Sequence, residues 1–318
     1  MSSPRSDSMI RTLLAGCALL PAAALAAPFA YVPNEKSGTV SVIDTATDTV
    51  VRTLPGGARP RGIASDGKRL FISEAPSDGL VIVDISAEEP TRHIRLGESP
   101  EGVSVSADRK RVAVAVEESN SVVVLDAATG RKLADIRVRG KNPEHAVFSP
   151  DGRWLLVSAE DAEQVDLVDV KARRQVAQIP VGARPRGIGF TPDGSRAYVA
   201  CELVSTVYAI DMGKRKVIAT IKAGTFSNGV AVAPDGQRVY VSNGKDGTVS
   251  VIRTADNQVE ATLPVGKRPW NMALTPDGRK LYVANGRSNS VSVIDTERLT
   301  TISEIPVGEL PWGVVVQP

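Results

Sequence analysis

The chain has 318 residues, of which 42% are hydrophobic and 23% charged, and its 38 basic and 36 acidic residues leave a formal net charge of +2. This composition argues against a disordered chain and provides no general basic surface for nucleic acid. Nucleic-acid binding would need a local basic patch, and we keep it only as a second alternative. Short segments rich in Val, Ile and Thr, separated by Gly, Pro and Asp, favour an all-β protein.

The first 26 residues predict a signal peptide. Arg11 precedes an apolar run from Leu13 to Leu25, and Ala24-Leu25-Ala26 has the small-x-small form of a cleavage site. Cleavage after Ala26 would leave an exported chain of residues 27–318, which we expect to form one domain.

Two features of this N-terminal segment allow alternatives. The residues before Cys17 resemble a lipoprotein box, but the apolar run continues well past it, so lipid anchoring through Cys17 is the less favoured prediction. Translation begins at Met1 or at Met9. No other apolar run approaches the ~20 residues of a membrane span, so no span is predicted.

One sequence pattern recurs through the rest of the chain, and its clearest marker is a turn. The turns are spaced 42 or 43 residues apart, at Asp66-Gly67, Asp108-Arg109, Asp151-Gly152, Asp193-Gly194, Asp235-Gly236 and Asp277-Gly278. Asp-Gly between alternating apolar segments predicts a β-hairpin with a type I′ turn, because Gly readily adopts a positive φ.

Each repeat contains four short segments with period-two alternation of apolar residues. In the sixth copy they are residues 229–233, 238–243, 248–252 and 258–263. A repeat of about 40 residues with four antiparallel strands is typical of a propeller blade. Seven such repeats fill residues 27–318, so we predict a seven-bladed β-propeller.

The phase of the repeat predicts how the ring closes. The mature chain starts near Tyr31 with the second strand of a repeat and stops at residues 312–316 with a first strand. The C-terminal strand should therefore join the N-terminal blade, which removes the open edge between the first and last blades.

Several segments resemble known propeller repeats. Tyr-Val-Pro-Asn at 31–34, Tyr-Val-Ser-Asn at 240–243 and Tyr-Val-Ala-Asn at 282–285 resemble the motif of the YVTN repeat family, whereas Glu74, Val116, Ala159 and Cys201 replace its final Asn. The C-terminal segments 288–295, 305–308 and 311–316 are similar to propeller proteins associated with pyrroloquinoline-quinone-dependent alcohol catabolism. This resemblance implies a periplasmic accessory whose partner is a quinoprotein dehydrogenase or a cytochrome. It provides no established catalytic residues that could be assigned to positions of this chain.

Seven equivalent positions at the entrance to the innermost strands should form a ring around the central channel. They are Arg61, Glu101, Glu144, Arg186, Asn228, Trp270 and Trp312. Such a ring suits a planar or anionic small ligand, through bidentate hydrogen bonds and stacking on Trp. In the alternative interpretation, the Trp rings only cap the channel and the charged residues form solvated pairs.

Four carboxylates recur just after the second strand of their repeats, at Glu35, Glu117, Glu160 and Glu202. We expect them on the same face, outside the polar ring, and too far apart to bind one metal ion. The chain has only two His and none of the common catalytic or nucleotide-binding motifs, so neither a metal site nor a cofactor is predicted.

The remaining reactive residue types are few. His145 follows Glu144 at the channel entrance and is the only histidine expected within reach of a substrate, whereas His93 should be exposed on an outermost strand. Cys201 ends an apolar strand and should be a buried, unreactive thiol, with no second cysteine in the mature chain to pair with.

The function that we predict is non-catalytic binding or scaffolding by a periplasmic monomer, engaging a protein partner or a small ligand. The alternative is a lactonase-like hydrolase or lyase, with His145 as base and Glu101, Glu144 and either Arg61 or Arg186 positioning the substrate. That alternative requires His145 and the ring carboxylates to converge on one pocket. Fold alone cannot choose between the two.

Overall fold

The computed structural model describes residues 28–87 and 89–317, so the predicted signal peptide, with Met1, Met9 and Cys17, lies outside the described residues. The described residues form seven four-stranded antiparallel sheets, one per blade, and two short 3-10 helices at Ala75–Ser77 and Glu160–Ala162. This confirms the predicted seven-bladed propeller. No helix in this part of the chain is long and apolar enough to cross a membrane.

The strands of blades 1 to 3 are given from the channel outward. Blade 1 contains β28 (Val315–Val316), β1 (Phe29–Asn34), β2 (Thr39–Asp44) and β3 (Thr49–Pro55). Blade 2 contains β4 (Pro60–Ser65), β5 (Arg69–Glu74), β6 (Gly79–Asp84) and β7 (Glu89–Arg95). Blade 3 contains β8 (Pro100–Val105), β9 (Arg111–Val116), β10 (Ser121–Asp126) and β11 (Lys132–Arg137).

Blades 4 to 7 follow the same order. Blade 4 contains β12 (Pro143–Phe148), β13 (Trp154–Ala159), β14 (Gln164–Asp169) and β15 (Arg174–Pro180). Blade 5 contains β16 (Pro185–Phe190), β17 (Arg196–Cys201), β18 (Thr206–Asp211) and β19 (Lys216–Lys222). Blade 6 contains β20 (Ser227–Val232), β21 (Arg238–Asn243), β22 (Thr248–Arg253) and β23 (Gln258–Pro264), and blade 7 contains β24 (Pro269–Leu274), β25 (Lys280–Asn285), β26 (Ser290–Asp295) and β27 (Thr300–Pro306).

The hydrophobic core consists of layers between neighbouring blades. Each of seven clusters draws its buried residues from two adjacent blades, including the pair formed by blades 7 and 1. Both faces of the second and third strands are therefore buried, which is why these strands read as nearly continuous apolar segments. The largest buried side chains are tyrosines of the second strands: Tyr31, Tyr198, Tyr240 and Tyr282.

The ring closes as the sequence predicts, although the closing strand is short. In β28, Val315 pairs with Tyr31 and Val316 with Ala30. The backbone N–H of Trp312 donates to Pro33 O at 3.0 Å, so the chain ahead of the strand also follows β1. Across the same junction, Lys280 Nζ of blade 7 lies 2.7 Å from an Asp48 carboxylate oxygen of blade 1.

The first hairpin turns differ from the predicted type I′. In the turn that contains Asp151, the N–H of Gly152 donates to Ser149 O at 2.8 Å, and only Gly152 has a positive φ, of 66°. A type I′ turn needs positive φ at both central residues, and the ring of Pro150 forbids this. In the four turns where a Pro precedes the Asp, the loop is therefore longer than two residues, and its Gly provides the left-handed residue after the turn.

The final Asn of the repeat motif has a structural role where it is present. The side-chain amide of Asn285 donates to Ser290 Oγ at 3.1 Å and to Ser292 Oγ at 2.8 Å, and Asn34 and Asn243 make equivalent bonds. In blade 4, where Ala159 replaces this Asn, Asp166 occupies the position of the serine and its carboxylate accepts the N–H of Gly140 at 2.7 Å. The loss of this Asn in blade 4 is thus compensated locally.

The two other residues singled out by the sequence lie where it predicts. His93 is exposed on the outermost strand β7 and hydrogen-bonds Ser77 at 2.8 Å. Cys201 is fully buried at the end of β17, and burial raises the pKa of its thiol to about 12. A thiol in this state is not a nucleophile at neutral pH.

Candidate functional site

The candidate site is a cavity of about 390 Å³ at one end of the central channel, which we call the mouth. Six of the seven predicted ring residues directly follow the first residue of an inner strand, and the seventh, Trp312, precedes β28. The structure brings all seven side chains together at the mouth. They are Arg61, Glu101, Glu144, Arg186, Asn228, Trp270 and Trp312. The pairing register shifts directly after each entrance, as between Pro60 and Ile63, and such a bulge redirects a side chain out of the regular pleat.

Other residues complete the mouth, and sequence reasoning did not place them there. They are Glu35, Arg59, Glu117, Glu160, Arg184, Arg268, Asn271 and Leu310. The signal for three of them was present in the sequence: an Arg recurs directly before the Pro that starts an inner strand, at Arg59, Arg184 and Arg268.

The position predicted for the recurring glutamates was wrong. Instead of lying outside the ring, Glu35, Glu117 and Glu160 line the mouth itself. Nor are they all far apart, because carboxylate oxygens of Glu117, Glu144 and Glu160 lie within 4.8 Å of one another. Arg186 contacts both Glu144 and Glu160, so a guanidinium already supplies a cation at this cluster.

On one side of the mouth, Arg61 of blade 2 connects blades 1 and 3. Its Nε lies 3.1 Å from Glu35 Oε1, and its Nη1 contacts Glu101 of the next blade. Arg59 also contacts Glu35. Both carboxylates are almost fully buried, so these bonds are shielded from water and hold their side chains in fixed positions.

On the other side, Arg186 is the centre of a larger network. Its Nη1 lies 2.7 Å from Glu144 Oε1 and also contacts Glu160, and its Nε lies 3.1 Å from Glu202 Oε2. Glu202 also pairs with Arg268, at 2.7 Å. The arginines of the mouth are therefore engaged by carboxylates of the same chain and are not free to capture an anion.

Burial and neighbouring charges give the carboxyl groups of the mouth different pKa values. Burial, together with the charge of Glu144, raises the pKa of Glu101 to about 8 and that of Glu160 to about 7. Burial acts on Glu144 as well, but Arg186 beside it outweighs this and holds the pKa of Glu144 below its usual value. The ionised Glu144 thus lies beside two carboxyls that hold their protons more tightly than a free glutamate does.

This arrangement predicts that stability depends on pH and that Glu101→Gln weakens this dependence. Because the pKa of Glu101 is higher in the folded protein than in the unfolded chain, its contribution is fully present below about pH 4 and is lost as the pH rises through 8. Calorimetric melting of the wild type between about pH 5 and about pH 8 should show this loss, whereas Glu101→Gln should show a flatter profile. Glu309→Gln, at an exposed ion pair with Lys36, is the control and should follow the wild type. Parallel profiles for wild type and Glu101→Gln would contradict the assignment.

The opposite wall of the mouth carries no paired charges and is formed by Asn228, Trp270, Asn271, Leu310 and Trp312. Trp270 packs on the backbone of Gly286, where a Cβ atom would lie 2.4 Å from the indole Cζ3. Any larger residue at Gly286 would therefore displace the indole. The mouth thus has one wall of hydrogen-bonding charged groups and one wall of aromatic and amide groups.

His145 does not line the mouth. It lies in a separate chamber of about 130 Å³ in the channel, lined also by Asn271, Trp312 and glycines of the inner strands. Its ring stacks on Trp312 with centroids 5.8 Å apart, and its Nδ1 is buried without a hydrogen-bond partner. Burial lowers the pKa of His145, partly offset by Glu144, so the imidazole is neutral at pH 7. Asn271 and Trp312 line both cavities, which are therefore neighbours, but the ring carboxylates line only the mouth and His145 lines only the chamber.

Two family models match parts of the chain. Residues 169–309 match a model described as "Lactonase, 7-bladed beta-propeller", and residues 63–196 match one described as "YNCE-like beta-propeller". Each match covers less than half of the chain. No curated protein matches the chain.

Two solved structures illustrate the likeness of fold. A chain of hydrazine synthase from Kuenenia stuttgartiensis is 24% identical with a TM-score of 0.75, over 84% of this chain and 92% of that one. A functionally unknown protein from Desulfotomaculum acetoxidans DSM 771 is 16% identical with a TM-score of 0.79, over 91% of this chain and 98% of that one. At these identities the likeness shows the propeller fold alone.

Proposed function

We propose that this protein is a non-catalytic binding propeller, exported to the periplasm, whose mouth holds a small ligand. The observation that carries the proposal is the convergence of residues from all seven blades on one cavity with two chemically different walls. A cavity of about 390 Å³ suits a small molecule. The ion pairs also fix the polar wall before a ligand arrives, which lowers the entropic cost of binding.

The class of ligand follows from how the two walls are built. Because the arginines are already paired with carboxylates, an anion would have to compete with Glu35, Glu144 and Glu202 for them. A neutral ring with several hydroxyls can donate to the carboxylates and accept from the guanidinium edges without breaking those pairs. The apolar face of such a ring can pack on Trp270 or Trp312. We therefore propose a cyclic polyol, a sugar or a sugar lactone.

The aromatic wall gives the first prediction for this site. Replacing both mouth tryptophans, in Trp270→Ala/Trp312→Ala, is expected to weaken binding of myo-inositol or glucono-δ-lactone at least about tenfold, because buried aromatic contacts dominate small interfaces. Titration calorimetry measures the loss. Trp154→Ala is the control, since Trp154 packs against Arg153 and Arg215 and does not line the mouth. Equal affinity in the double variant and the control would contradict the proposed position of the ligand.

A second candidate function is hydrolysis of a lactone at the same mouth. It is supported by the match of residues 169–309 to the lactonase model and by the raised pKa of Glu101 beside ionised Glu144. In this mechanism Glu144 accepts a proton from water as the water adds to the lactone carbonyl. Glu101 then donates a proton to the ring oxygen as the ester C–O bond breaks. His145, in the separate chamber, takes no part.

A proton NMR time course of glucono-δ-lactone separates the two functions. Hydrolysis faster than in buffer, and lost in Glu101→Gln, would establish the hydrolase. Hydrolysis at the buffer rate, with saturable binding, would leave the binding function in place.

We also propose a physiological setting, an accessory role in quinoprotein-dependent alcohol oxidation. It is supported by the resemblance of the C-terminal segments 288–295, 305–308 and 311–316 to propeller proteins of that system. A strain of the source organism that lacks this protein should grow normally on sugars and poorly on alcohols oxidised by a quinoprotein dehydrogenase. Equal growth on both would contradict this setting while leaving the ligand site untouched.

A further inference from the structure

A second cavity, of about 780 Å³, opens between blades 6 and 7 on the same face as the mouth. Its basic residues come from three loops: Lys245 between β21 and β22, Lys267 between β23 and β24, and Arg287 between β25 and β26. We call this cavity the basic groove. Arg268 lines both the groove and the mouth, so the two cavities are neighbours.

The three cations of the basic groove have no acidic partner. Among the residues that the structure describes, no carboxylate lies within ion-pairing distance, 4.0 Å, of Lys245, Lys267 or Arg287. This contrasts with the mouth, where each arginine is paired. The two acids that line the groove have other partners, because Asp246 accepts the N–H of Thr225 at 2.6 Å and Glu304 accepts the hydroxyl of Ser290 at 2.6 Å.

The groove is not built for a compact anion such as phosphate. Compact anions are usually held by free backbone N–H groups, but those of the three basic residues are already used. The N–H of Lys245 donates to Thr225 O at 3.1 Å, that of Lys267 to Ser288 Oγ at 2.7 Å and that of Arg287 to Lys267 O at 3.0 Å. Only exposed, flexible side chains on three separate loops remain, and these suit an elongated anionic partner.

The groove also lacks what a nucleic acid would need. The one aromatic residue that lines the groove, Phe226, already packs against two cations, Lys245 at 5.7 Å and Arg268 at 5.5 Å from the ring centroid, which compete with a base for stacking on it.

We propose that the basic groove docks an acidic segment of a partner protein, an extended stretch with several Asp or Glu residues. Lys245, Lys267 and Arg287 provide the complementary charge across two blades. Because these side chains are exposed, their contribution is mainly to the rate of association and to salt sensitivity. The proposal is independent of the small ligand in the mouth.

Fluorescence anisotropy with a labelled deca-glutamate peptide tests this docking. Wild type should bind it, and raising the salt from about 50 to about 200 mM should weaken binding severalfold. The variant Lys245→Glu/Lys267→Glu/Arg287→Glu should lose at least about tenfold in affinity. The control Arg131→Glu/Lys171→Glu/Arg279→Glu makes the same charge change at turns of the opposite face and should bind like wild type.

Three outcomes would overturn the proposal. Equal losses in the two triple variants would mean that net charge alone drives binding. Tighter binding of a ten-nucleotide thymidine oligomer than of the peptide would indicate a nucleic-acid site. Complete displacement of the peptide by low millimolar phosphate would indicate a compact-anion site. Circular dichroism of all three proteins confirms that the exposed substitutions leave the fold intact.

Discussion

Deleting residues 312–318 is expected to abolish cooperative folding of the ring. Val314 and Val316 are buried between blades 7 and 1, and burial of two valines contributes about 3–6 kcal/mol. The deletion also removes the hydrogen bonds from the N–H groups of Trp312 and Gln317 to the edge of β1. Since the total stability of a domain is about 5–15 kcal/mol, this loss is comparable to the whole.

Rescue in trans tests whether the missing strand, and not the shortened chain, causes the defect. A synthetic peptide of residues 309–317 should restore a cooperative melting transition to the truncated protein, because the vacated edge of β1 can accept it. The same peptide with Asp in place of Val314 and Val316 should not. A truncated protein that melts like the full chain without any peptide would contradict the closure described above.

Replacing Arg186 by Leu is the second change with a large expected effect. It would leave Glu144, Glu160 and Glu202 without this partner, and their side chains are only 6%, 11% and 2% exposed. Breaking a buried ion pair by removing one member typically costs about 3–5 kcal/mol, because the remaining charge stays desolvated. Urea unfolding at pH 8 should show a loss of this size.

Two comparisons make the Arg186 experiment specific. Arg253→Leu removes an exposed arginine whose closest acidic partner, Asp256, is equally exposed and whose contact with Glu260 is longer, 3.5 Å, so its cost should be below about 1 kcal/mol. Lowering the pH to about 5 should restore part of the stability of Arg186→Leu, because its buried carboxyls can then take up protons. If Arg186→Leu lowers the free energy of unfolding at pH 8 by no more than Arg253→Leu does, the buried carboxylates do not depend on Arg186 for their stability.

The architecture could be predicted from the sequence because the turns and alternating strands that define a blade lie within each repeat. The regular spacing of Asp-Gly turns determines the blade, and the phase of the pattern at Tyr31 and at residues 312–316 determines the closure. In four of the six marked turns, the predicted type was wrong because a Pro precedes the Asp, as Pro150 precedes Asp151, and its ring lengthens the loop.

The site was only partly predictable because side-chain direction depends on neighbouring blades. Arg61 reaches from one blade to Glu101 on the next, and no periodicity within a repeat encodes that contact. The distance between Glu117 and Glu160 depends on how closely the inner strands approach the channel axis, which follows from packing of all seven blades. The position of His145 depends on the bulge after Pro143, which separates the directions of adjacent side chains.

The most direct test of the central claim, that the mouth binds a neutral hydroxyl-rich ring, is a fluorescence titration of Trp154→Phe. This variant leaves Trp270 and Trp312 as the only tryptophans, and both line the mouth. We expect saturable changes in emission with glucose, myo-inositol or glucono-δ-lactone, and binding of gluconate that is at least about tenfold weaker, because the arginines are already paired. No saturable change with any of the neutral rings, or tightest binding of gluconate, would contradict the account.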